Sequence, residues 1–222
     1  MNGEFSMPKP INKNLRTDLL QAAILLLDTR GDTHFSMKEL AAQVDYSVTA
    51  VYRCFEHKTH LLQALQLHLF EQLPHHLFPI LSQLHSIPSS DHVKQSDTTP
   101  MSRVVQIRAI GAAFIKWGVE HPARYHFMFH TTQAGSLLTA ENQAKARLGM
   151  RLLEQLIQEG IEEGEFIPQD PTVSATLLFA SLHGLISLYT AQRLDSSHIT
   201  DLSDFYDTYV ADWMSKLLLA QG

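Results

Sequence analysis

Residues 36–58 read SMKELAAQVDYSVTAVYRCFEHK, and no other stretch restricts the fold as much. Ser36 and Glu39 stand in S-x-x-E spacing, a capping box that opens a helix by satisfying two backbone donors reciprocally. The helix that follows, MKELAAQV, has room for only a couple of turns. Asp45-Tyr46 makes a turn, and Ser47 caps a third short helix that ends near Cys54. Upstream, residues 14–29 place Leu19, Ala23, Leu26 and Leu27 on one helical face, and Arg30-Gly31 ends that helix. Downstream, a fourth helix begins near Lys58 and shows Leu61, Leu62, Leu65 and Leu69. It is expected to bend or stop at Pro74, because proline removes a donor and clashes with the preceding turn. Two short capped helices joined by a tight turn and braced by a longer one form a helix-turn-helix.

Helical spacing continues beyond this head, with no convincing run of alternating strands. Residues 86–100, SIPSSDHVKQSDTTP, read as a polar, proline-bounded linker. Helices are expected near 101–120, 121–131 and 137–160, the last closed by GIEEGEF, whose glutamates read as a solvated helix end. Asp170-Pro171 is an N-cap followed by proline at the first helical position. A final helix over 201–219 repeats Leu202, Phe205, Tyr209, Trp213 and Leu217. The fold class is therefore all-α: an arm and helix-turn-helix three-helix head over residues 1–57, then a larger helical ligand-binding and dimerisation domain over 58–222.

Composition excludes several classes. A single cysteine allows no internal disulfide framework and fits a reducing, cytoplasmic setting. The opening MNGEFSMPKP lacks an apolar segment and is not expected to be a secretory signal. Residues 172–191 carry no charge, and length alone would admit a membrane helix. Ser, Thr, His and Gly dilute the stretch and no basic cluster flanks it, so a doubly buried helix of a protein outside the membrane is expected. The net charge of −6 is uneven: residues 1–70 hold seven Lys/Arg and seven Asp/Glu, residues 71–222 ten against sixteen. A neutral head that binds DNA must do so with a few placed cations and helix ends rather than a basic field.

A helix-turn-helix sets its second helix across the major groove, N-terminal end first. Val51 and Phe55 would hold that helix to the head. Ser47, Val48, Thr49, Ala50 and Arg53 would face bases or phosphates, and Tyr52 would reach a phosphate. Lys58 sits at the start of the fourth helix, where free N–H groups add to its attraction for phosphate. The run RTDLLQAAILLLDTRG (16–31) with SMKELAAQVDYSVTAVYRCFEHKTHLL (36–62) resembles the DNA-binding head of TetR-family transcriptional regulators. The matching positions are Arg16, Ala22, Ala23, Gly31, Leu40, Ala41, Ser47, Tyr52, Phe55, Lys58, Leu61 and Leu62. The resemblance implies DNA contacts at Ser36, Val48, Thr49, Tyr52, Arg53 and Lys58. It also implies a palindromic double-stranded operator bound by a homodimer and released by a small molecule. Three positions depart from the family's pattern: Asp45 where the turn usually has glycine, Val48 for a common lysine, and His57 where Ser or Asn usually caps the fourth helix.

In the second half, WGVEHPARYHFMF (117–129) and LFASLHGLISL (178–188) resemble the WHG-type C-terminal domain of some TetR regulators, with Phe179 for the tryptophan and His183-Gly184 in place. That resemblance implies a four-helix dimer bundle from the last two helices. Phe114, Trp117, Tyr125, Met128, Phe129 and Phe179 are candidates to surround an apolar effector, with His183 as polar anchor; the competing reading is plain core. His126 and His130 share a helical face with His121 nearby, but no Cys or carboxylate accompanies them, so no metal or other cofactor is expected. Cys54 has no C-x-x-C partner and reads as a packing residue. No G-x-S-x-G, P-loop, G-x-G-x-x-G or H-E-x-x-H occurs, so no enzyme is expected. Two functions remain: a ligand-responsive regulator, or a helical small-molecule or metal-binding protein whose head no longer binds DNA.

Overall fold

The computed structural model describes residues 14–77, 102–130, 143–144, 146–194, 199, 201–212 and 216. The 86–100 linker, Trp213 and Leu217 lie outside the described residues. The described chain is helical: α1 Leu15–Arg30, α2 Met37–Gln43, α3 Val48–Cys54, α4 Lys58–Leu77, α5 Arg103–Glu120, α6 Pro122–Phe129, α7 Leu148–Glu162 and α8 Pro171–Thr190. A short α9, Leu202–Phe205, runs on into one π-helical turn at Tyr206–Val210. Two compact units emerge, residues 1–69 with 123–138 and residues 70–122 with 139–222.

In the first unit, α1, α2 and α3 pack on one another. Their core is Leu19, Ala23, Leu27, Phe35, Leu40, Val51 and Phe55, each almost wholly withdrawn from water. The sequence marks for each boundary hold. Gly31 takes the left-handed conformation at φ 78° and its N–H donates to the Leu27 carbonyl, closing α1. The Ser36 hydroxyl accepts from Glu39 N–H at 3.1 Å while the Glu39 carboxylate accepts from Ser36 N–H at 2.7 Å. Asp45 makes the turn at φ 53°, the left-handed region that Asp enters more readily than most side chains. Pro74, expected to bend or stop α4, lies inside the helix, which continues to Leu77.

The same unit takes in α6 from a distant part of the chain. Arg124 grips Asp28 of α1 through two nitrogens, Nε at 2.9 Å from Oδ1 and Nη2 at 2.5 Å from Oδ2. Gln66 of α4, only 4% exposed, donates its amide to the Met128 carbonyl at 3.1 Å. That bond satisfies one of the carbonyls a helix C-terminus leaves open. Tyr125, Phe127 and Met128 are buried.

In the second unit, α5, α7 and α8 pack together and α9 lies on α5. Close approach is built in at Gly111, where a Cβ would clash with the Tyr206 hydroxyl, and at Gly160, where it would clash with the Phe166 ring. The glutamates after α7 are not merely a solvated end. Glu165 accepts from Arg103 N–H at 2.7 Å, from Val104 N–H at 3.1 Å and from the Ser102 hydroxyl, so a carboxylate caps α5 from outside its own sequence. Glu163 pairs with Arg103 at 2.8 Å, which lowers the acid's pKa and raises the guanidinium's. Asp170 caps α8 by accepting from Thr172 and Val173 N–H. That helix is long and apolar enough to cross a membrane by length and composition alone. It is not doubly buried as expected: one face packs on α5 and α7, while Val173, Leu177 and Leu188 are 55%, 58% and 43% exposed.

Two consequences follow for stability. Tyr206 is buried and its hydroxyl donates to the Arg108 carbonyl, so it cannot yield to a new methyl. Gly111→Ala should therefore cost about 1–3 kcal/mol in thermal unfolding, and adding Tyr206→Phe, which removes the nearest atom, should recover part of the loss. A Gly111→Ala protein that melts like wild type would contradict this packing. The second concerns acid. The Arg30 guanidinium and the Ser36 cap hold the Glu39 carboxyl down to about 2, from an ordinary 4.5. A depressed carboxyl contributes stability that is present above pH 4.5 and is lost as pH falls toward 2. Glu39→Gln should flatten that part of the stability profile, read by denaturant unfolding at stepped pH; an unchanged profile contradicts the assignment.

Candidate nucleic-acid interface

A helix of seven residues does not persist alone, so α3 depends on its cap and on its buried side. Ser47 Oγ accepts from Ala50 N–H at 3.2 Å, and Val51 and Phe55 are fully buried. The other side is left to solvent. Ser47, Val48, Thr49, Tyr52 and Arg53 are exposed and Ala50 is half-buried. Positions 48, 49, 52 and 53 fall on one helical face, so the structure gathers four of the eight residues expected to meet DNA into a single strip. Ser36 is exposed at the start of α2, with its hydroxyl held in the capping box.

Lys58 is half-buried at the start of α4, the place its sequence reading gives it. Its ammonium donates to the Thr33 carbonyl and stands 5.2 Å from the centre of the Phe35 ring. Lys58 is the first residue of α4. His57, which departs from the usual Ser or Asn, still caps that helix, because its Nδ1 accepts from His60 N–H at 3.0 Å. The accepting Nδ1 requires the proton on Nε2 in the neutral ring.

Sequence reading missed one brace. The Arg16 guanidinium lies 4.6 Å over the Phe55 ring and directs Nη1 toward the Cys54 carbonyl at 3.5 Å, supporting the far end of α3 from α1. A separation of 38 residues leaves no local signal, although Arg16 stood among the family positions. Cys54 itself is half-buried.

The residues expected around an effector fall into two groups. Phe114, Trp117, Phe179 and His183 come together in the second unit. Phe179 and His183 have ring centres 4.1 Å apart, Phe114 lies 5.1 Å from His183, and Trp117 stacks 6.3 Å from Phe114. Among the described residues the buried Trp117 indole N–H has no acceptor. Tyr125, Met128 and Phe129 belong to the first unit, where Tyr125 and Phe129 are 5.3 Å apart. His126 and His130 stack at 5.4 Å, while His121 sits beside Trp117 at 5.9 Å.

Comparison with known proteins places this geometry. Residues 19–65 match the family model described as bacterial regulatory proteins, tetR family. Residues 107–213 match one described as tetracyclin repressor-like, C-terminal domain. The chain is 26% identical over 179 residues to the nucleoid occlusion factor SlmA of Escherichia fergusonii, covering 80% of this chain and 83% of that protein. A Rhodococcus sp. RHA1 protein of unknown function has the same fold, with a TM-score of 0.74 at 20% identity over 94% of this chain and 97% of that one. AibR, solved with isovaleryl coenzyme A and operator DNA, superposes with a TM-score of 0.58 at 19% identity over 92% and 97% of the two chains. Head and C-terminal portion match two parts of one family, and the chain belongs to the TetR family of DNA-binding bacterial regulators.

Proposed function

We propose that the chain is a ligand-responsive repressor that binds a palindromic operator as a homodimer and leaves it when a small molecule occupies the portion after residue 57. The observation that carries this reading is the α2–turn–α3 unit. Both helices are capped, the inner side of α3 is fully buried, and the outer strip of Val48, Thr49, Tyr52 and Arg53 is free for a groove. AibR, a protein of this fold that carries both an acyl-CoA and operator DNA, supports the ligand-responsive part. On this reading the Phe114, Trp117, Phe179 and His183 cluster is the wall met by an apolar effector, with the Trp117 N–H as a donor for it. Tyr125, Met128 and Phe129 belong to the first unit and pack in its own core.

The homodimer is proposed through α8. Its exposed strip, Val173, Leu177, Ala180, Gly184 and Leu188, is apolar, and a Cβ on Gly184 would meet nothing within 4 Å. Small residues in the middle of such a strip let a second helix approach closely. A second reading has the SlmA likeness behind it, namely a role in nucleoid occlusion. A genome-wide binding map separates the two: promoter-proximal peaks favour repression, and sites dispersed through genes favour the alternative.

Arg53→Ala should weaken binding to the chain's own upstream DNA by about 1–3 kcal/mol and relax sequence preference, if Arg53 reads a base edge. Lys58→Ala should weaken all sequences alike and reduce the salt slope by about one unit. It should also lower the melting temperature, because the Thr33 carbonyl loses its donor. Anisotropy titrations at several salt concentrations read both, and unchanged affinity and selectivity in Arg53→Ala would show that α3 does not read DNA. For the dimer, Leu177→Asp puts an unpaired charge into an apolar contact, so sedimentation should show monomer or aggregate. A soluble Leu177→Asp dimer places the interface elsewhere.

A further inference from the structure

The end of α8 contains a residue that its backbone disfavours. Gln192 sits at φ 55°, the left-handed conformation that usually belongs to glycine after a helix. The surrounding bonds are those of a glycine-type helix stop: Gln192 N–H donates to the Tyr189 carbonyl at 2.9 Å and Arg193 N–H to the Leu188 carbonyl at 2.8 Å. A long, polar, unbranched side chain gains nothing for the stop itself, and glycine would form it without strain. A strained backbone kept under a functional side chain is a recurrent feature of ligand clamps.

Gln192 borders an open cleft of about 770 Å³, within the size range of small-molecule sites. Val119 and Pro122 form one wall, and Tyr189, Thr190, Gln192 and Leu194 another. None of these residues bears a formal charge. The Thr190 hydroxyl already donates to the Ile186 carbonyl at 2.8 Å, so the Tyr189 phenol and the Gln192 carboxamide are the groups placed to discriminate a ligand. The cleft does not include Phe114, Phe179 or His183, so it is separate from the ring cluster.

We infer that this cleft is a second ligand site, specific for a neutral amphipathic molecule carrying an amide or hydroxyl group, with Gln192 as its specificity-determining residue. The lining residues offer hydrogen-bond partners and no cation, so they match an amide better than a carboxylate of the same shape. This binding does not rest on the repressor reading.

The test uses the full-length protein and two probes of one shape, 4-hydroxybenzamide and 4-hydroxybenzoate, followed by ligand-observed NMR titration. The amide should bind saturably and at least tenfold more tightly than the acid. Leu194→Trp, which fills the cleft, and Gln192→Gly should each weaken the amide at least tenfold, while Gln158→Ala, on the exposed side of α7, leaves it within twofold. Gln192→Gly should also melt a few degrees higher than wild type, because the strain is relieved, so its loss of binding is not a loss of fold. Equal binding of amide and acid, no saturable binding, or an undiminished affinity in Leu194→Trp overturns the inference. Operator binding of wild type, measured in parallel by anisotropy, reports separately on the repressor reading.

Discussion

The burial of Val51 and Phe55 is the constraint on which the DNA-binding side depends. The recognition helix is too short to hold itself, so its existence and its orientation are set by these two side chains and by the Ser47 cap. Fixing one side by burial fixes the other by exposure. Arg53 and Tyr52 point away from the head because Val51 and Phe55 point into it. The same core carries the supports found around it: Arg16 over the Phe55 ring, and Lys58 over Phe35 with its ammonium on the Thr33 carbonyl. The head is electrically neutral overall, so its reading of DNA rests on geometry of this kind more than on long-range attraction.

In the second unit the corresponding constraint is close approach. Gly111 lets the Tyr206 ring lie against α5, and Gly160 lets Phe166 turn back over α7. Glu165 then caps the start of α5, so the connector after α7 fixes two helices at once. This leaves α8, which carries no charge, with one side packed and one side open. That open apolar strip is the surface the proposed homodimer would cover.

Local chemistry was legible in the sequence. The Ser36–Glu39 capping box, the turn at Asp45, the Ser47 cap and the Asp170-Pro171 start each involve residues no more than three apart, and each is found as read. What was not legible depends on distance along the chain. Asp28 and Arg124 are separated by 96 residues, and Gln66 and Met128 by 62, and neither pair leaves a periodic trace. The glutamates after α7 looked solvated because their partners, Arg103 and the α5 N-terminus, lie some sixty residues upstream. Of the candidate effector residues, composition supplied the aromatics but could not divide them. The structure puts Phe114, Trp117, Phe179 and His183 in one cluster and Tyr125, Met128 and Phe129 in the other unit. Helical periodicity likewise marked 172–191 as apolar all round, and only packing shows which side is left open.

The central claim is that two copies of this head read DNA together. Hydroxyl-radical footprinting of the full-length protein on its own upstream DNA tests it most directly. The account predicts two protected patches on one side of the duplex, centred about one helical turn apart, roughly 34–36 Å, and related by a two-fold axis. A single isolated patch, or uniform weak protection without symmetry, would contradict it.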